Sequence, residues 1–567
     1  LENGSVTPAP WINVVSNPRF GFMVSESGSG YTWYGNSREN KLTPWSNDAV
    51  CDPSGEMIYL SDAETGQYWS ITALPVRKKQ LYTAIHGFGY SAFELTSHGF
   101  KQRLTQFVPV GETVKVSIVN LKNATEQRRK LTLIYYIRPI LGVTDQSTAF
   151  HIRTGTTPSG LMTVENPYNE EYPGLVCFVD SSLRERCVTG DRKEFFGDGG
   201  AGAPACLFRE SLSGQTGIGF DPCAAMRFEI DFEPNESKDV VLLLGAAPNI
   251  ELAEETALRY TEPKRAVKSL LEVKEFWENR LENISVSTPS FPMNLMLDGW
   301  LQYQILSCRL WARTGFYQCG GAYGFRDQLQ DCLALAQILP DAVREQILLH
   351  ARHQYIQGDV QHWWHEPNSS GTRTRISDDR LWLPYAAAEY IRITGDEGIL
   401  NEQLEFLEDS PLAETEDERY GRPKVSESKE SLYEHCARAI DVSLKFGARG
   451  LPLMGSGDWN DAMNAVGSKG KGESVWLAWF LSCVLDKFTP LCEARSDTAR
   501  TKRYKDCRAE LIRSIEENAW DGNWYMRAFF DNGEPLGSSQ NTDCRIDSIS
   551  QSWSVLSGAG EPKRAAM

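Results

Sequence analysis

The residues best suited to chemistry lie in the segment Gly455-Ser-Gly-Asp-Trp-Asn-Asp461, where two carboxylates flank an indole ring. Cleavage of a glycosidic bond uses a carboxylic acid to protonate the departing oxygen, and aromatic rings stack on sugars. Asp and Asn after a flexible Gly-Ser-Gly also form Asx-turns and helix N-caps. The segment therefore predicts either a general acid beside a sugar-binding ring or a helix start, and the adjacent Trp favours the first.

A second polar segment, Tyr323-Gly-Phe-Arg-Asp-Gln-Leu-Gln-Asp331, lies near the predicted start of a helix. Arg326 and Asp331 could offer hydrogen-bond donors and acceptors to sugar hydroxyls. They could equally form an ion pair, since carboxylates are favoured at helix N-termini. The residues alone leave both interpretations open.

The third segment combines His362-Trp-Trp-His-Glu366 with Ser377-Asp-Asp-Arg-Leu-Trp382. His362 and His365 could bind a metal ion, but no third ligand stands at a suitable spacing, so no metal site is predicted. Ser377, Asp378 and Asp379 before an apolar run indicate a helix cap or a loop that lines a substrate site.

Composition limits the class of protein to which these segments belong. The 567 residues carry a net charge of −17, which argues against a nucleic-acid or anionic-membrane partner. Sixteen Trp and 21 Tyr suit either sugar binding or an aromatic core. The 13 Cys form no CxxC pair, which favours a reducing compartment, and no run of about 18 apolar residues is apparent. We expect a cytoplasmic protein segment without direct membrane contact.

The elements that must position these segments fall into two parts of the chain, which differ in the periodicity of their hydrophobic residues. Residues 11–247 contain short strand-like runs such as Val114–Leu121 and Lys130–Ile137, which predict an antiparallel β-sandwich, and Ile250–Asn283 reads as a helical connector. After Pro292 eight helices are predicted, several with a capping residue such as Ser431 or Ser474. They are Leu295–Trp311, Asp327–Leu339, Ala342–Tyr355, Asp379–Ile393, Ser431–Phe446, Ser474–Leu485, Thr498–Asn518 and Ser548–Ser557. Helices alternating with polar, aromatic loops suggest an (α/α)-barrel with a site at one end.

Motifs along almost the whole chain resemble one family of carbohydrate-active enzymes. Tyr323–Asp331, Ser377–Leu383 and Gly457–Asp461 are similar to motifs of the cellobiose and chitobiose phosphorylases. They are most similar to the phosphorylase-like carboxy-terminal module of cyclic β-1,2-glucan synthases. Five further segments also resemble that module. They are Asn17–Phe22, Gly30–Trp33, Asn36–Asn40, Leu42–Asn47 and Cys544–Trp553.

The resemblance implies an antiparallel β-super-sandwich over 1–250, a helical linker over 251–290 and an (α/α)6-barrel over 291–567. It implies that Asp461 is the general acid, that Trp459 contacts the sugar, and that Arg326 and Asp331 hold the terminal glucosyl unit. Further substrate-binding residues are expected in the three polar segments described above: Asp327, Asp378, Asp379, Asp458 and His365. It implies no cofactor, inorganic phosphate as co-substrate and a β-glucan oligosaccharide as partner, with the chain serving as a free phosphorylase or as part of a membrane-bound synthase.

The carboxy-terminal part departs from the family pattern. No His follows His435, and fewer helices are predicted than six hairpins require, so we expect an incomplete barrel with its phosphate-site residues beyond Met567. The favoured function is inverting phosphorolysis of a β-linked glucoside, with β-1,2-glucan as substrate. The alternatives are an inverting hydrolase, with Asp458 or Glu434 as base, and a non-catalytic module that measures glucan length.

Overall fold

The computed structural model describes all 567 residues, which form two compact units, Leu1–Ala322 and Tyr323–Met567. The first unit is built mainly from three antiparallel sheets. A three-stranded sheet comprises Ile12–Ser16, Phe20–Ser25 and Gly30–Tyr34. A five-stranded sheet has the order Cys187–Asp191, Pro222–Phe232, Arg129–Ile137, Glu56–Asp62, Gln67–Ser70. An eight-stranded sheet has the order Arg153–Thr156, Met162–Glu165, Val176–Ser181, Ser237–Ala247, Val114–Asn123, Phe100–Phe107, Tyr90–Ser97, Thr83–Gly87.

The core of this unit is a large buried apolar cluster. It includes Leu133 and Phe228 from the five-stranded sheet and Val119 and Leu242 from the eight-stranded sheet, all of them buried. Apolar residues at alternate positions of each strand point to the same face, so two sheets bury one continuous core. The predicted antiparallel β-super-sandwich is therefore confirmed.

Helices complete the first unit. Ile250–Tyr260 and Pro263–Leu281 are followed by a helical run in which Phe291–Leu295 and Leu301–Gln304 alternate with π-helical turns at Met296–Trp300 and Ile305–Ala312. This run packs on the first strand, because the hydroxyls of Tyr303 and Ser307 donate to the Val14 carbonyl at 2.8 and 2.6 Å. The domain limits at 250 and 290 stay predictions.

The second unit contains helices at each remaining position where the sequence predicts one. They are Phe325–Leu333, Pro340–Ala351, Trp382–Thr394, Leu432–Ser443, Val475–Ala494, Thr498–Asn518 and Ser548–Leu556, followed by the short Pro562–Ala565. Ser431 and Ser474 are N-caps, whose hydroxyls accept from the amides of Glu434 and Leu477. Both capping predictions are confirmed, and the fold class is the predicted one.

The helix Val475–Ala494 extends nine residues beyond its predicted end at Leu485. In the sequence, the charged residues Asp486 and Lys487 resemble the end of a helix. In the structure they lie on the outward-facing side of this helix, and the next residue, Phe488, is buried in the core. By length and composition alone this helix is long and apolar enough to cross a membrane, although Asp486 and Lys487 interrupt its apolar residues. Most of it is buried inside the protein, as in the core helix of a soluble protein.

Short antiparallel strands connect these helices, where the sequence indicates only loops. A four-stranded sheet joins Tyr323–Gly324, Gln361–His365, Ser370–Thr374 and Glu418–Gly421. Gln403–Glu408 pairs with Lys424–Ser431, and Glu473–Ser474, Ala528–Phe529 and Pro535–Leu536 form a third sheet. These strands hold the loops that carry the polar motifs.

Candidate active site

Two of the motif loops are joined by backbone contacts. Ile376 and Gly455 form an isolated antiparallel bridge, and the amide and hydroxyl of Ser377 donate to the Gly457 carbonyl at 2.9 and 3.0 Å. Gly455 has a φ of +65°, and a Cβ there would lie 2.1 Å from the Arg375 carbonyl oxygen. The close approach therefore requires glycine at this position.

Arg326 ties three segments together from the first turn of the helix Phe325–Leu333. Its side chain is only 6 % exposed. Nη2 donates to Asp461 Oδ1 at 2.8 Å, and Nη1 donates to the Asp458 carbonyl at 3.1 Å and to Asp378 Oδ1 at 3.3 Å. Burial lowers the pKa of Arg326, but the charges of Asp378 and Asp379 more than offset it, so the net shift is upward. A permanently charged guanidinium thus fixes the position of Asp461.

Asp461 and Trp459 lie at the accessible rim of the site. Their side chains are about half exposed, and Trp459 Nε1 donates to Gln330 Oε1 at 3.3 Å. The Asp461 carboxyl group lies against Arg326 and 3.8 Å from His362 Nε2. The arrangement presents an acid and an aromatic ring to solvent, as a sugar site requires.

His362 is the histidine beside the acid. Its Nδ1 lies 2.8 Å from Asp379 Oδ2. Burial lowers the pKa of His362, but the charge of Asp379, its hydrogen bond and the charge of Asp461 raise it by more, to about 9. The imidazole therefore carries a proton at neutral pH, next to the Asp461 carboxyl group.

His365, which the sequence selects, is three residues beyond His362 on the strand Gln361–His365, whose register shifts between Gln361 and Trp363. The His365 ring is buried and meets the edge of Trp363 at 5.3 Å. No group of three or more His, Cys, Asp or Glu residues in the chain is arranged to hold a metal ion.

Asp378 and Asp379 form the buried floor of the site. Asp378 Oδ2 accepts from Trp382 Nε1 at 3.0 Å. Burial and the charge of Asp379 raise the pKa of Asp378 well above its usual range, in spite of Arg326. Asp379 Oδ1 is buried without a hydrogen-bond partner. Neither Asp378 nor Asp379 caps the short helix that begins at Asp379 with its side chain. Both are buried, and their role in substrate binding stays a prediction.

Asp458 is held differently from Asp461. It is fully buried, and Arg527 donates to its two oxygens at 2.7 and 2.5 Å while Ser474 Oγ donates at 2.6 Å. Both oxygens are thus engaged by the protein. The sequence does not indicate Arg527, because no motif surrounds it, although a buried carboxylate needs a cation.

Asp327 and Asp331 occupy the same helix as Arg326. Asp327 is exposed in its first turn and Asp331 is half-buried one turn later. Residues four apart share a helix face, so Arg326 and Gln330 form the face that meets residues 458–461. Asp327 and Asp331 lie on the adjacent face, where a role in substrate binding stays a prediction.

Two family models match the chain. The glycosyl hydrolase 94 supersandwich domain matches residues 1–263, and the glycosyl hydrolase 94 superfamily catalytic domain matches residues 276–567. The chain belongs to glycosyl hydrolase family 94. The predicted resemblance is thereby confirmed, and the site described above lies in the family's catalytic domain.

Relatives in this family include a synthase and several phosphorylases. The chain is 40 % identical to the cyclic beta-(1,2)-glucan synthase NdvB of Rhizobium meliloti (strain 1021), over its whole length but only 20 % of that protein. It is 25 % identical to the N,N'-diacetylchitobiose phosphorylase of Vibrio proteolyticus, over 98 % of this chain and 72 % of that one. The chain is 26 % identical to the solabiose phosphorylase of Paenibacillus borealis, over 99 % of this chain and 71 % of that one.

Solved structures show the same fold at low identity. A bacterial glucoamylase complexed with acarbose aligns with a TM-score of 0.55 at 10 % identity, over 93 % of this chain and 71 % of that one. A putative kojibiose phosphorylase from the human microbiome aligns with a TM-score of 0.51 at 8 % identity, over 92 % and 73 %. These likenesses support the sandwich and the (α/α)6-barrel type of helical domain.

Proposed function

We propose that the chain carries out inverting phosphorolysis of a β-linked glucoside. Asp461 protonates the departing glycosidic oxygen while phosphate attacks the anomeric carbon from the opposite face, so the β-linkage yields an α-sugar 1-phosphate. An inverting hydrolase needs a second carboxylate to activate water, whereas phosphate is already an anionic nucleophile. A single well-placed acid therefore suffices, and no cofactor is required.

The observation that carries this proposal is the hold of Arg326 on Asp461. The buried guanidinium contacts Asp461, Asp378 and the Asp458 backbone together, while the Asp461 carboxyl group stays accessible beside Trp459. An acid fixed by a buried partner and open to solvent on one side meets the geometric requirement for protonating a bound substrate.

His362 positions Asp461 in this proposal. Its imidazolium is held by Asp379, and Nε2 lies 3.8 Å from Asp461 Oδ2. A small approach would place these atoms in hydrogen-bond contact, so the imidazolium orients the Asp461 carboxyl group, and solvent at its exposed side restores its proton after each turnover.

The hydrolase alternative lacks support at both candidate bases. Both carboxylate oxygens of Asp458 accept hydrogen bonds from Arg527, and one of them also accepts from Ser474. Glu434 lies on the helix Leu432–Ser443 and accepts from Arg500 at 2.8 Å and Arg438 at 3.3 Å. A general base needs a free oxygen facing the water that it activates.

The substrate that we propose is β-1,2-glucan, on the basis of the 40 % identity to NdvB, whose name includes that polymer. We further propose that the chain acts on the cytoplasmic side as part of a larger synthase. A non-catalytic module that measures glucan length is the remaining alternative, because the binding residues would be the same.

The test is the phosphate dependence of bond cleavage by the intact protein. β-1,2-Glucooligosaccharides are incubated with and without inorganic phosphate, and α-glucose 1-phosphate and free glucose are measured separately. We expect α-glucose 1-phosphate only in the presence of phosphate. Free glucose without phosphate would support the hydrolase, and saturable glucan binding without either product would support the measuring module.

A further inference from the structure

A polar cavity of about 710 Å³ lies in the second unit, beside the loops that carry the motifs. It is formed where residues 373–381, 411–417 and 467–470 meet the helices Leu432–Ser443 and Val475–Ala494. It is lined by neither the acid of the candidate active site nor the arginine, histidine and tryptophan beside that acid. The cavity is therefore separate from the groups to which the proposed function assigns the chemistry.

Arg380 lines this cavity with a guanidinium that lacks a carboxylate partner. Its only hydrogen bond runs from Nε to Ser443 Oγ, at 2.8 Å, and it forms no salt bridge. The side chain is half-buried, and Nη1 and Nη2 have no partner although neither atom is sealed from solvent. The two Nη groups therefore offer hydrogen-bond donors to a ligand in the cavity.

The charge of Arg380 is incompletely balanced within the protein. Burial lowers the pKa of Arg380, and the charges of Asp359, Asp379 and Asp378 raise it by less, so the net shift is downward. Asp359 is already engaged, because Arg373 donates to both of its oxygens at 2.7 Å. A cation that loses hydration without gaining a carboxylate partner is unfavourable, and a bound anion would relieve that cost.

The loop 411–417 forms a fixed wall with free acceptors. Arg375 holds it in place, since its Nε donates to the Glu416 carbonyl at 2.7 Å. The exposed carboxylates of Glu414 and Asp417 line the cavity from this loop and form no hydrogen bond or salt bridge within the protein. They can accept hydrogen bonds from hydroxyl groups of a ligand.

Two exposed lysines, Lys445 and Lys469, add further positive charge. Both residues line the cavity, and their ammonium groups form no hydrogen bond or salt bridge. Together with Arg380 they are three cations without a partner, in a chain whose net charge is −17. A guanidinium and ammonium groups around one space are the usual environment of a phosphate group.

We propose that this cavity binds a sugar phosphate. The phosphate oxygens accept from Arg380 and are balanced by Lys445 and Lys469, while the sugar hydroxyls donate to Glu414 and Asp417. A volume of about 710 Å³ is typical of a site for a small molecule and is larger than bare phosphate needs. No bond is made or broken at this site, and the proposal does not depend on the function proposed above.

The reactivity of Lys469 provides a local readout, because its exposed ammonium group would lie beside the bound phosphate. The intact protein is acetylated with an N-hydroxysuccinimide ester at constant ionic strength, and each lysine is followed by peptide mass spectrometry. Glucose 1-phosphate should slow acetylation of Lys469 saturably, and at lower concentrations than inorganic phosphate does. The exposed Lys101, in the other unit, is an internal control and should be unaffected.

Substitutions separate this cavity from any phosphate bound in the candidate active site. Arg380→Met should raise the glucose 1-phosphate concentration for half-protection of Lys469 at least tenfold, as expected for the loss of hydrogen bonds to a charged ligand. Lys445→Gln, at an exposed position, should raise it about threefold, as expected for an exposed ion pair. Arg503→Met removes an exposed arginine of the same unit outside the cavity and should leave it unchanged.

Two further measurements distinguish a binding site from a structural arginine. Without ligand, Arg380→Met should unfold at the same urea concentration as the wild type or at a higher one, because no salt bridge is lost. Glu414→Ala/Asp417→Ala should weaken protection by glucose 1-phosphate relative to protection by inorganic phosphate, because only the sugar has hydroxyl groups to donate.

The proposal is overturned if neither phosphate compound protects Lys469, if glucose protects it as well as glucose 1-phosphate does, or if inorganic phosphate binds more tightly than glucose 1-phosphate. It is also overturned if Arg380→Met and Lys445→Gln both bind like the wild type. A fall in the urea concentration at half-unfolding of Arg380→Met would assign this arginine to the fold instead.

Discussion

The guanidinium of Arg326 donates to the carboxylate of Asp461 at 2.8 Å, although the two residues are 135 positions apart in the chain. The same side chain reaches Asp378, so a single buried cation determines how three loops meet. The accessible acid is thereby fixed by a residue that is itself inaccessible, which separates the role of holding the acid from that of protonating the substrate.

Asp461→Asn should abolish phosphorolysis in the intact protein. The amide keeps the size of the side chain but has no proton to give, and general acid catalysis contributes about 10²–10⁴-fold. We expect kcat to fall by at least that factor while glucan binding changes little, measured by release of α-glucose 1-phosphate and by equilibrium binding. Asp543→Asn, on an exposed loop outside the site, is the matched control. Full activity of Asp461→Asn would mean that another residue is the acid.

The ion pair of Asp458 and Arg527 should matter for stability. Removal of one partner leaves the other charged and buried, which typically costs about 3–5 kcal/mol. We expect Arg527→Met to lower the free energy of unfolding by about that amount in urea titrations, and Asp458→Asn/Arg527→Met to recover part of the loss. Arg503→Met, which breaks an exposed pair with Asp441, should cost less than about 1 kcal/mol. Equal effects of the two single arginine substitutions would contradict this assignment.

Gly455→Ala should separate the two motif loops. The added Cβ would lie 2.1 Å from the Arg375 carbonyl oxygen, in a left-handed backbone conformation that alanine disfavours. A strain of about 1–3 kcal/mol is expected, together with a loss of kcat, since Ser377 and Gly457 would no longer pair. Gly470→Ala, also left-handed but with no atom near its Cβ, controls for backbone strain alone. If both variants lose activity equally, the close contact is not the cause.

Local patterns predict the helices well. Ser431 and Ser474 are hydroxyl residues before apolar, helix-periodic runs, and both are N-caps. The end of the helix at Ala494 is missed, because Asp486 and Lys487 resemble a boundary when their direction in the folded chain is unknown. The short strand Gln361–His365 is missed because five residues give too little alternation to identify.

The sequence predicts only those residues of the candidate site that belong to a recognisable motif. The segment Gly457–Asp461 identifies Asp461 and Asp458 as candidates, yet only the fold shows that Asp458 is occupied by Arg527, 69 residues later. The choice between His362 and His365 depends on which of them lies beside Asp461 in the fold, where His362 Nε2 is 3.8 Å from Asp461 Oδ2. Long-range pairing of this kind leaves no local pattern in the sequence.

The protonation of His362 should make stability depend on pH in a definite direction. Its pKa is raised to about 9 through Asp379 and Asp461, above the ordinary value of about 6.5. A raised pKa means that the folded state binds the proton more tightly than the unfolded state. This contribution is therefore fully present below about pH 6.5 and is lost as pH rises through about 9.

His362→Gln should remove that contribution. We expect the difference in free energy of unfolding between wild type and His362→Gln to be largest near pH 6 and to shrink steadily towards pH 10. NMR titration of the imidazole signals checks the assignment directly. His98, whose pKa is lowered, first by burial and also by the charges of Lys78 and Arg129, should titrate below 6.5 in the same spectra. A stability difference that stays constant from pH 6 to 10, or a His362 signal that titrates near 6.5, would show that the contacts with Asp379 and Asp461 do not hold a proton there.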